Sequence, residues 1–381
     1  MTATPQTADV VSPGSVGVDP HRLDVLLRRA RLEVEHGPLP SAQLAVARSG
    51  RLVAFETWGD PEVEATVPRY VLQSVGRTFV ASAAWKLLGE GQLSVTERVA
   101  DIIPEFGTNG KEAVTVEHVL THTGGFPYAP LGFPKMVDRE QRLAAFAKWR
   151  LDDAPGDKLQ FHLTSAAWLI DEIVWRRTGR ALPAYLREEV CAPLGLGLAL
   201  ALTREEQEAT VAPMRCTDGD GSEVDPWGPW YLNNPEIVAA GEPSHSAVGS
   251  AADVALHYQG LLAALSGDES IWTQAAVADA VRPHVVAVPA GDQLYGGGTQ
   301  PTGMGLFVLV AGEKGTPNLP SVGSAATFGN SGAAYQTGFA DPATGLSFCL
   351  LSNGYPTSGY DYTPRGRALM TNISNLAADL T

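Results

Sequence analysis

Residues 74–127 read SVGRTFVASAAWKLLGEGQLSVTERVADIIPEFGTNGKEAVTVEHVLTHTGGFP, and this stretch decides the fold. Residues 75–89 are predicted to form a helix that has Ser74 at its N-terminal edge. Arg77 follows one helical turn later, on the same face. Free N–H groups and the helix macrodipole favour a developing negative charge at such an edge, which suits a nucleophilic serine. The alternative interpretation of Ser74 is a small residue that caps the helix.

This stretch resembles the serine β-lactamase and penicillin-recognising superfamily, in particular its class C-like esterase and D-peptidase branch. In those proteins a serine-x-x-lysine opens the helix, and an "IP-F" turn and a "HLLTHTSGLP"-like segment follow. The resemblance extends over roughly residues 20–370. Its later matches are PGDK at 155–158 followed by Phe161-His162-Leu163, GSAADVA at 249–255, FGNSG at 328–332 and GFADPATG at 338–345.

Strand-like segments near both ends of the chain, with helical patterns between them, predict an α/β (α+β) fold. We expect an antiparallel sheet flanked by helices and completed by C-terminal strands, with an inserted, mostly helical domain; the resemblance implies the same β-lactamase-like arrangement. A hairpin is predicted at 41–58, turning at Ser49-Gly50. The predicted domains are a disordered leader at 1–18, a sheet domain from 19–70 and 250–381, and a helical domain at 71–249. The active-site cleft is expected between the last two.

The composition restricts the partners and the compartment. A net charge of −15 disfavours nucleic acid and anionic membranes, although an acidic surface also serves solubility alone. Three widely separated cysteines make no disulfide framework and fit a reducing compartment. The N-terminus lacks the pattern of a signal peptide, and no window approaches about 18 consecutive apolar residues. We therefore predict a cytoplasmic protein with a small-molecule substrate, no nucleic acid, no membrane partner, and no metal or cofactor; the sequence does not indicate its oligomeric state.

Both proton-handling positions of the family are changed in this chain. The resemblance implies that a serine attacks a carbonyl, a lysine and a tyrosine manage its proton, and backbone N–H groups bind the tetrahedral charge. Arg77 stands in place of the lysine, and Phe161-His162-Leu163 stands in place of Tyr-x-Asn. A guanidinium with a pKa above about 12 stays charged, so Arg77 is not a general base. It is either a structural ion-pair partner or a fixed cation that binds an anion or stabilises developing charge.

Two histidines are candidates for the missing base. His162 takes the middle position of the altered Tyr-x-Asn motif, and imidazole titrates near neutrality. The alternative for His162 is a packed or surface histidine. His245 precedes the helical segment 249–260, in a region that borders the family's cleft, and is a second candidate for proton transfer.

Asn330-Ser331-Gly332 stands where the family has Lys/His-Thr/Ser-Gly. Ser331 and Gly332 keep the small residues that let a strand edge approach a ligand closely, whereas Asn330 replaces a basic group by a neutral amide. By family analogy, the N–H groups of Ser74 and of Ala334 or a neighbour form the oxyanion hole.

An aromatic cluster, Trp227, Trp230 and Tyr231, lies in a Pro/Gly-rich loop. It is predicted to line an apolar or aromatic substrate pocket. The alternative role is to anchor the loop.

Three functions follow from these residues. The first is a hydrolase or acyltransferase that uses Ser74 on a small ester, lactone or amide in specialised biosynthesis, and is not a standard β-lactamase. The second is a repurposed, non-acylating cyclase, isomerase, lyase or hydratase that uses Arg77, His162, Ser331 and the aromatic walls. The third is a catalytically inactive binding protein.

Overall fold

The computed structural model describes residues 10–228, 231–290, 300–333, 335–356 and 364–381. Strands and helices are numbered in chain order. The strands are β1 (Ala42–Arg48), β2 (Arg51–Trp58), β3 (Tyr70–Val71), β4 (Arg215–Cys216), β5 (Val248–Gly249), β6 (Val285–Ala287), β7 (Thr302–Met304), β8 (Leu309–Val310), β9 (Phe328–Gly332), β10 (Gln336–Asp341), β11 (Leu346–Ser352) and β12 (Gly354–Tyr355). The helices are α1 (Pro20–Glu35), α2 (Pro61–Thr66), α3 (Arg77–Gly89), α4 (Val99–Ile102), α5 (Val116–Leu120), α6 (Arg139–Phe146), α7 (Ser165–Thr178), α8 (Leu182–Leu186), α9 (Ala192–Leu194), α10 (Arg204–Thr210), α11 (Pro235–Ala240), α12 (Ala251–Leu265), α13 (Gln274–Ala280) and α14 (Pro364–Ala378).

The central sheet has eight antiparallel strands in the order β2-β1-β11-β10-β9-β8-β7-β6. The predicted hairpin is confirmed: β1 and β2 are joined at Ser49 and Gly50, whose φ angles are 55° and 73°. Two successive residues with positive φ match the right-handed twist of the flanking strands. The C-terminal strand β11 pairs with β1, so the end of the chain completes the sheet as predicted.

Helices cover both faces of this sheet. On one face α1 packs against α14, and their apolar side chains, such as Leu26 and Ile373, contact the sheet. On the other face α12 lies across β1, β10 and β11, and α3 lies between the sheet and the remaining helices. Because α3 is surrounded by other elements, it is buried on all sides rather than along one stripe, and Trp85 within it is fully buried.

The structure confirms the predicted fold class and corrects the leader. Residues 1–9 lie outside the described residues, but residues 10–18 are ordered, contrary to the prediction. The N–H of Val11 donates to Leu52 O at 2.8 Å, Val18 is buried, and Pro13–Val16 form a 3-10 helix. The division into a sheet domain and a helical domain stays a prediction. Among the described helices, none has the length and apolar content to cross a bilayer.

Candidate active site

Ser74 lies on a short turn that is held in place by a second segment of the chain. The strand pair β3–β5 joins Val71 to Val248, and the N–H of Leu72 donates to Ala247 O at 2.7 Å. A 3-10 helix, Gln73–Gly76, then runs directly into α3, so the turn that precedes the helix is tighter than the sequence predicts. Ser74 is half-buried, whereas its neighbours on both sides are buried. The serine is therefore the residue of this turn with access to solvent.

The residue before Ser74 has an unusual backbone. Gln73 has a φ of 49°, in the left-handed region, which costs a non-glycine residue about 1–3 kcal/mol and is common at functional sites. Its carboxamide is buried and has no hydrogen-bond partner among the described residues. A Cβ on Gly332 would lie 3.2 Å from the Cβ of Gln73, so the end of β9 approaches the serine turn closely. This approach depends on a glycine at position 332.

Arg77 joins three segments beneath the serine. Its side chain is 1% exposed, its Nε donates to Ser244 O at 3.2 Å, and its Nη2 donates to Leu163 O. The guanidinium carbon lies 4.2 Å from the centroid of the Phe161 ring and 5.3 Å from that of Phe307. Such cation–π contacts contribute about 2 kcal/mol when they are shielded from water. Arg77 thus packs on the ring that stands in place of the family's tyrosine.

The contacts of His162 are those of a structural residue. His162 is fully buried, its Nδ1 lies 2.6 Å from Gln160 O, and its Nε2 accepts the N–H of Phe126 at 3.1 Å. Burial lowers the pKa of His162 to about 4. Both ring nitrogens therefore bind backbone groups of the wall, and these contacts do not favour the hypothesis that His162 is the base.

His122 forms the other part of this wall. Its Nδ1 accepts the N–H of His162 at 3.2 Å, and its ring lies between Phe161 and Phe307, with centroid distances of 4.8 and 4.9 Å. Burial, and then the positive charge of Arg77, lower the pKa of His122 well below its usual range. A neutral imidazole next to the Arg77 guanidinium avoids a repulsion between two buried cations.

The altered Lys-Thr-Gly strand places its side chains on opposite faces of the sheet. Asn330 is buried and donates from Nδ2 to Thr78 Oγ1 at 2.9 Å and to Phe307 O at 3.2 Å. Ser331 donates to Asn318 O at 2.8 Å and to Thr337 Oγ1 at 3.3 Å, so the described contacts of its hydroxyl are with residues other than Ser74. Asn330 thus binds the serine helix through Thr78, which the sequence did not single out. Ala334, a predicted oxyanion-hole residue, lies outside the described residues.

The aromatic loop contacts a second loop through Phe133. Trp227 is 59% exposed, and its ring contacts Phe133 at a centroid distance of 5.1 Å. The ring centroid of Tyr231 lies 6.5 Å from the same phenylalanine. Trp230 lies outside the described residues. Trp227 and Tyr231 therefore connect their loop to the 127–137 loop through Phe133, and their predicted pocket role stays a prediction.

A buried carboxylate–imidazole pair lies beside Arg77. Glu242 is fully buried, and its Oε2 is 2.8 Å from Nδ1 of His245, which is 7% exposed. The same carboxylate accepts the hydroxyl of Ser244 at 2.6 Å and the backbone N–H of His245 at 2.9 Å. Burial alone would raise the pKa of Glu242, but the charge of His245 and the hydrogen bonds from His245 and Ser244 lower it below its usual value. The carboxylate therefore stays ionised inside the protein.

Glu242 lies next to the candidate site, because Ser244 joins it to Arg77, and the sequence did not single it out. The sequence pattern that could have indicated it is Glu242-Pro-Ser-His245, in which a carboxylate precedes a histidine by three residues. A second, largely buried acid, Asp171 on α7, lies close enough to Glu242 for the two charges to interact. Burial raises the pKa of Asp171 to about 6, against the opposing charge of Arg142. In the part of the chain that the structure describes, no cluster of His, Cys, Asp and Glu has a metal-binding arrangement.

Comparison with known proteins gives the following matches. A family model described as "Beta-lactamase" matches residues 28–370. Esterase EstB of Burkholderia gladioli is 30% identical over 229 residues, which cover 52% of this chain and 57% of the esterase. This chain spans about half the length of the curated relatives it matches.

Two solved structures superpose over almost the whole chain. A penicillin-binding protein homologue from Caulobacter crescentus has a TM-score of 0.75 and 25% identity, covering 93% of this chain and 97% of its own. A family VIII carboxylesterase has a TM-score of 0.77, covering 96% of this chain and 99% of its own. Because the carboxylesterase is only 20% identical to this chain, its similarity shows the fold alone.

Proposed function

Since this chain belongs to the beta-lactamase family, we propose that it is a serine hydrolase or acyltransferase that acts on a small ester, lactone or amide through Ser74. Relatives of this fold include proteins named as an esterase and a carboxylesterase. The observation that carries the proposal is the turn at Ser74: a half-exposed serine follows a left-handed, buried residue at the start of a buried helix. Backbone strain of this kind persists where the surrounding structure holds a reactive group in position.

In the proposed reaction the Ser74 oxygen attacks the carbonyl carbon of the substrate. An acyl-serine forms and the alcohol or amine leaves; water or a second nucleophile then takes the acyl group. The N-terminal end of α3 and the charge of Arg77 both favour the negative charge that develops in this reaction. At about 6 Å, the spacing of side chains one helical turn apart, a unit charge contributes roughly 3 kcal/mol at an effective dielectric of 20.

Arg77 supplies this electrostatic support, but neither Arg77 nor Phe161 is a general base. The guanidinium remains protonated, and the Phe161 ring on which it packs has no hydroxyl group. The lysine–tyrosine chemistry of a standard β-lactamase is therefore not proposed for this chain. We also propose a cytoplasmic location and a role in specialised biosynthesis. The cytoplasmic location is supported by three free cysteines, which fit a reducing compartment: Cys191, Cys216 and Cys349.

The test is covalent labelling of the intact protein. A fluorophosphonate and an activated ester are added separately to the wild type, to Ser74→Ala and to Ser266→Ala, and the masses are measured. Ser266 is the matched control, because its hydroxyl binds Leu262 O at the end of α12. We expect adducts on the wild type and on Ser266→Ala, and at least about 1,000-fold slower turnover of the ester by Ser74→Ala.

Either of two results would overturn the proposal. One is the absence of any adduct on the wild type, and the other is equal labelling of Ser74→Ala. In both cases the remaining functions are a non-acylating enzyme and a binding protein. Thermal unfolding of each variant shows whether the fold is retained.

A further inference from the structure

We propose that Gln73 binds the substrate: its carboxamide forms hydrogen bonds with a hydroxyl group on the acyl part, one or two carbons from the carbonyl that Ser74 attacks. This inference rests on the proposed function and deepens it, because it names the class of ester that the serine takes. Gln73 determines specificity and makes or breaks no covalent bond.

The Gln73 side chain is buried without partners. Gln73 is 2% exposed, and neither its Oε1 nor its Nε2 has a hydrogen-bond partner among the described residues. Burying a carboxamide in this way costs free energy, because both groups lose their hydrogen bonds to water. An unsatisfied polar group directly next to a reactive residue is therefore suited to bind a ligand.

The other buried glutamines of the chain are bonded. Gln43 donates from Nε2 at 2.8 Å and accepts at Oε1 at 3.1 Å, and Gln259 also uses both ends of its carboxamide. Gln160 and Gln336 each donate from Nε2. Of the five buried glutamines in the part of the chain that the structure describes, Gln73 alone makes no hydrogen bond through either atom, and it is the one that precedes the serine.

The backbone of Gln73 adds a second cost. Its φ of 49° is strained for a residue with a side chain, whereas glycine adopts this conformation readily. A glycine would remove both the strain and the unsatisfied carboxamide, yet the chain has a glutamine here. Conflicts of this kind between a residue and its local structure are expected at functional sites.

The carboxamide lies close to the nucleophile. Gln73 directly precedes Ser74, and Cα atoms of neighbouring residues are about 3.8 Å apart. A Cβ on Gly332 would lie 3.2 Å from Gln73 Cβ and 3.0 Å from Gln336 Oε1, a second buried acceptor that has no partner among the described residues. The first one or two carbons of an acyl group on Ser74 are therefore the part of the substrate within reach of the Gln73 carboxamide.

The lack of hydrogen bonds also allows the buried side chain to turn toward the substrate. Rotating the side-chain bonds of Gln73 breaks no hydrogen bond to a described residue. Gln336, by contrast, is fixed because its Nε2 donates to Val71 O and Ser352 O, each at 2.9 Å. Ser74 is half-buried, so the accessible side of the turn is one residue away. We expect the Gln73 carboxamide to turn toward Ser74 when the substrate binds.

The carboxamide selects the chemistry of the group it binds. It offers an acceptor oxygen and an NH₂ donor, and a hydroxyl group both donates and accepts. A methyl group of similar size would leave both carboxamide atoms unpaired, and a site built to hydrogen-bond a hydroxyl rejects such an analogue strongly. Esters of 2- and 3-hydroxy acids are therefore the substrate class that this residue favours.

The experiment uses two pairs of 4-nitrophenyl esters whose members differ only by a hydroxyl or a methyl group. One pair is the 2-hydroxypropanoate and the 2-methylpropanoate, and the other is the 3-hydroxybutanoate and the 3-methylbutanoate. Release of 4-nitrophenol by the full-length protein gives kcat/KM for each ester and each enantiomer, corrected for its uncatalysed hydrolysis. We expect the wild type to prefer the hydroxy member of at least one pair by about 10- to 100-fold, the range that one or two hydrogen bonds supply.

Gln73→Met keeps the size of the side chain and removes the carboxamide. We expect it to reduce the preference by about tenfold or more, and to unfold at the same or a higher urea concentration, because it loses no hydrogen bond to the described residues. The matched control is Gln43→Met, which leaves Pro68 O and the N–H of Ala251 unpaired. It is expected to lower the urea midpoint and to leave the preference unchanged.

The outcomes separate this inference from the proposed function. If the wild type prefers neither hydroxy ester, or if Gln73→Met keeps the preference, the role of Gln73 is overturned, and fluorophosphonate labelling of Ser74 still supports the serine mechanism. If Gln73→Met lowers the urea midpoint and slows both members of a pair equally, Gln73 serves the fold, for example through an internal water molecule, and the inference is also overturned. If wild-type Ser74 is never labelled, both proposals fail.

A second variant covers a failure of Gln73→Met to fold. Gln73→Gly adopts the positive φ without strain and also lacks the carboxamide. It is expected to lose the preference for the hydroxy ester, and a preference equal to that of the wild type would overturn the inference.

Discussion

Replacing Arg77 by lysine restores the residue that the family carries at this position, yet the structure predicts a large loss of stability. Arg77 uses two nitrogens of its planar fork for Leu163 O and Ser244 O, and it packs on the Phe161 ring. A lysine ammonium reaches one of these carbonyls and lacks a planar face. Losing one hydrogen bond to a charged group costs about 1.5–3 kcal/mol. Losing the stacking contact costs about 0.5–2 kcal/mol.

The expected destabilisation by Arg77→Lys is therefore about 2–5 kcal/mol. Urea unfolding followed by tryptophan fluorescence measures it as a lower midpoint with an unchanged slope. The matched control is Arg98→Lys, since Arg98 is exposed and its 2.8 Å ion pair with Asp101 is screened by solvent. If Arg77→Lys unfolds within about 1 kcal/mol of the wild type, the view that Arg77 joins three segments is refuted.

Three further predictions concern the serine turn, the cleft wall and the aromatic loop. Gly76→Ala places a Cβ 2.8 Å from its nearest neighbour and is expected to cost about 1–3 kcal/mol in urea unfolding. The control is Gly14→Ala, whose added Cβ meets nothing within 4 Å and should change the free energy of unfolding by less than about 0.5 kcal/mol. If both variants were destabilised equally, the predicted clash at Gly76 would be wrong. The pKa of His162 falls from 6.5 to about 4 on folding. Its contribution to the free energy of unfolding is therefore present above pH 6.5 and is lost as the pH falls toward 4. The urea midpoint of His162→Leu should therefore depend less on pH over this window than that of the wild type, and an unchanged dependence would oppose this reasoning. Trp227→Ala should raise KM for an aromatic ester about 2- to 10-fold with kcat unchanged, and an unchanged KM would favour loop anchoring.

The fold was predictable because its strongest signals are local. Ser49-Gly50 specifies a hairpin turn on its own, and the strand-like segments at both ends require partners in one sheet. The disordered leader was the exception. Residues 10–18 look like a linker by composition, and they are ordered by tertiary contacts such as the hydrogen bond of Val11 to Leu52.

The position of a candidate site residue was predictable where that residue lies on a regular element. Ser74 and Arg77 are fixed by their place at the start of α3. The direction of His162 was not readable, because it follows an irregular segment without a period of 3.6 or 2 residues. Glu242 was missed for a related reason: an acidic residue beside a proline is normally exposed, and its burial depends on hydrogen bonds that form only in the folded turn.

The turn of Glu242, Ser244 and His245 stabilises its own buried charge from within. Its hydrogen bonds to the carboxylate come from residues within three positions of the acid. The arrangement is therefore carried by one short run of sequence and does not require groups from distant elements to change together. The hydrogen bonds that stabilise this buried carboxylate therefore do not depend on the side chains of the serine's own helix.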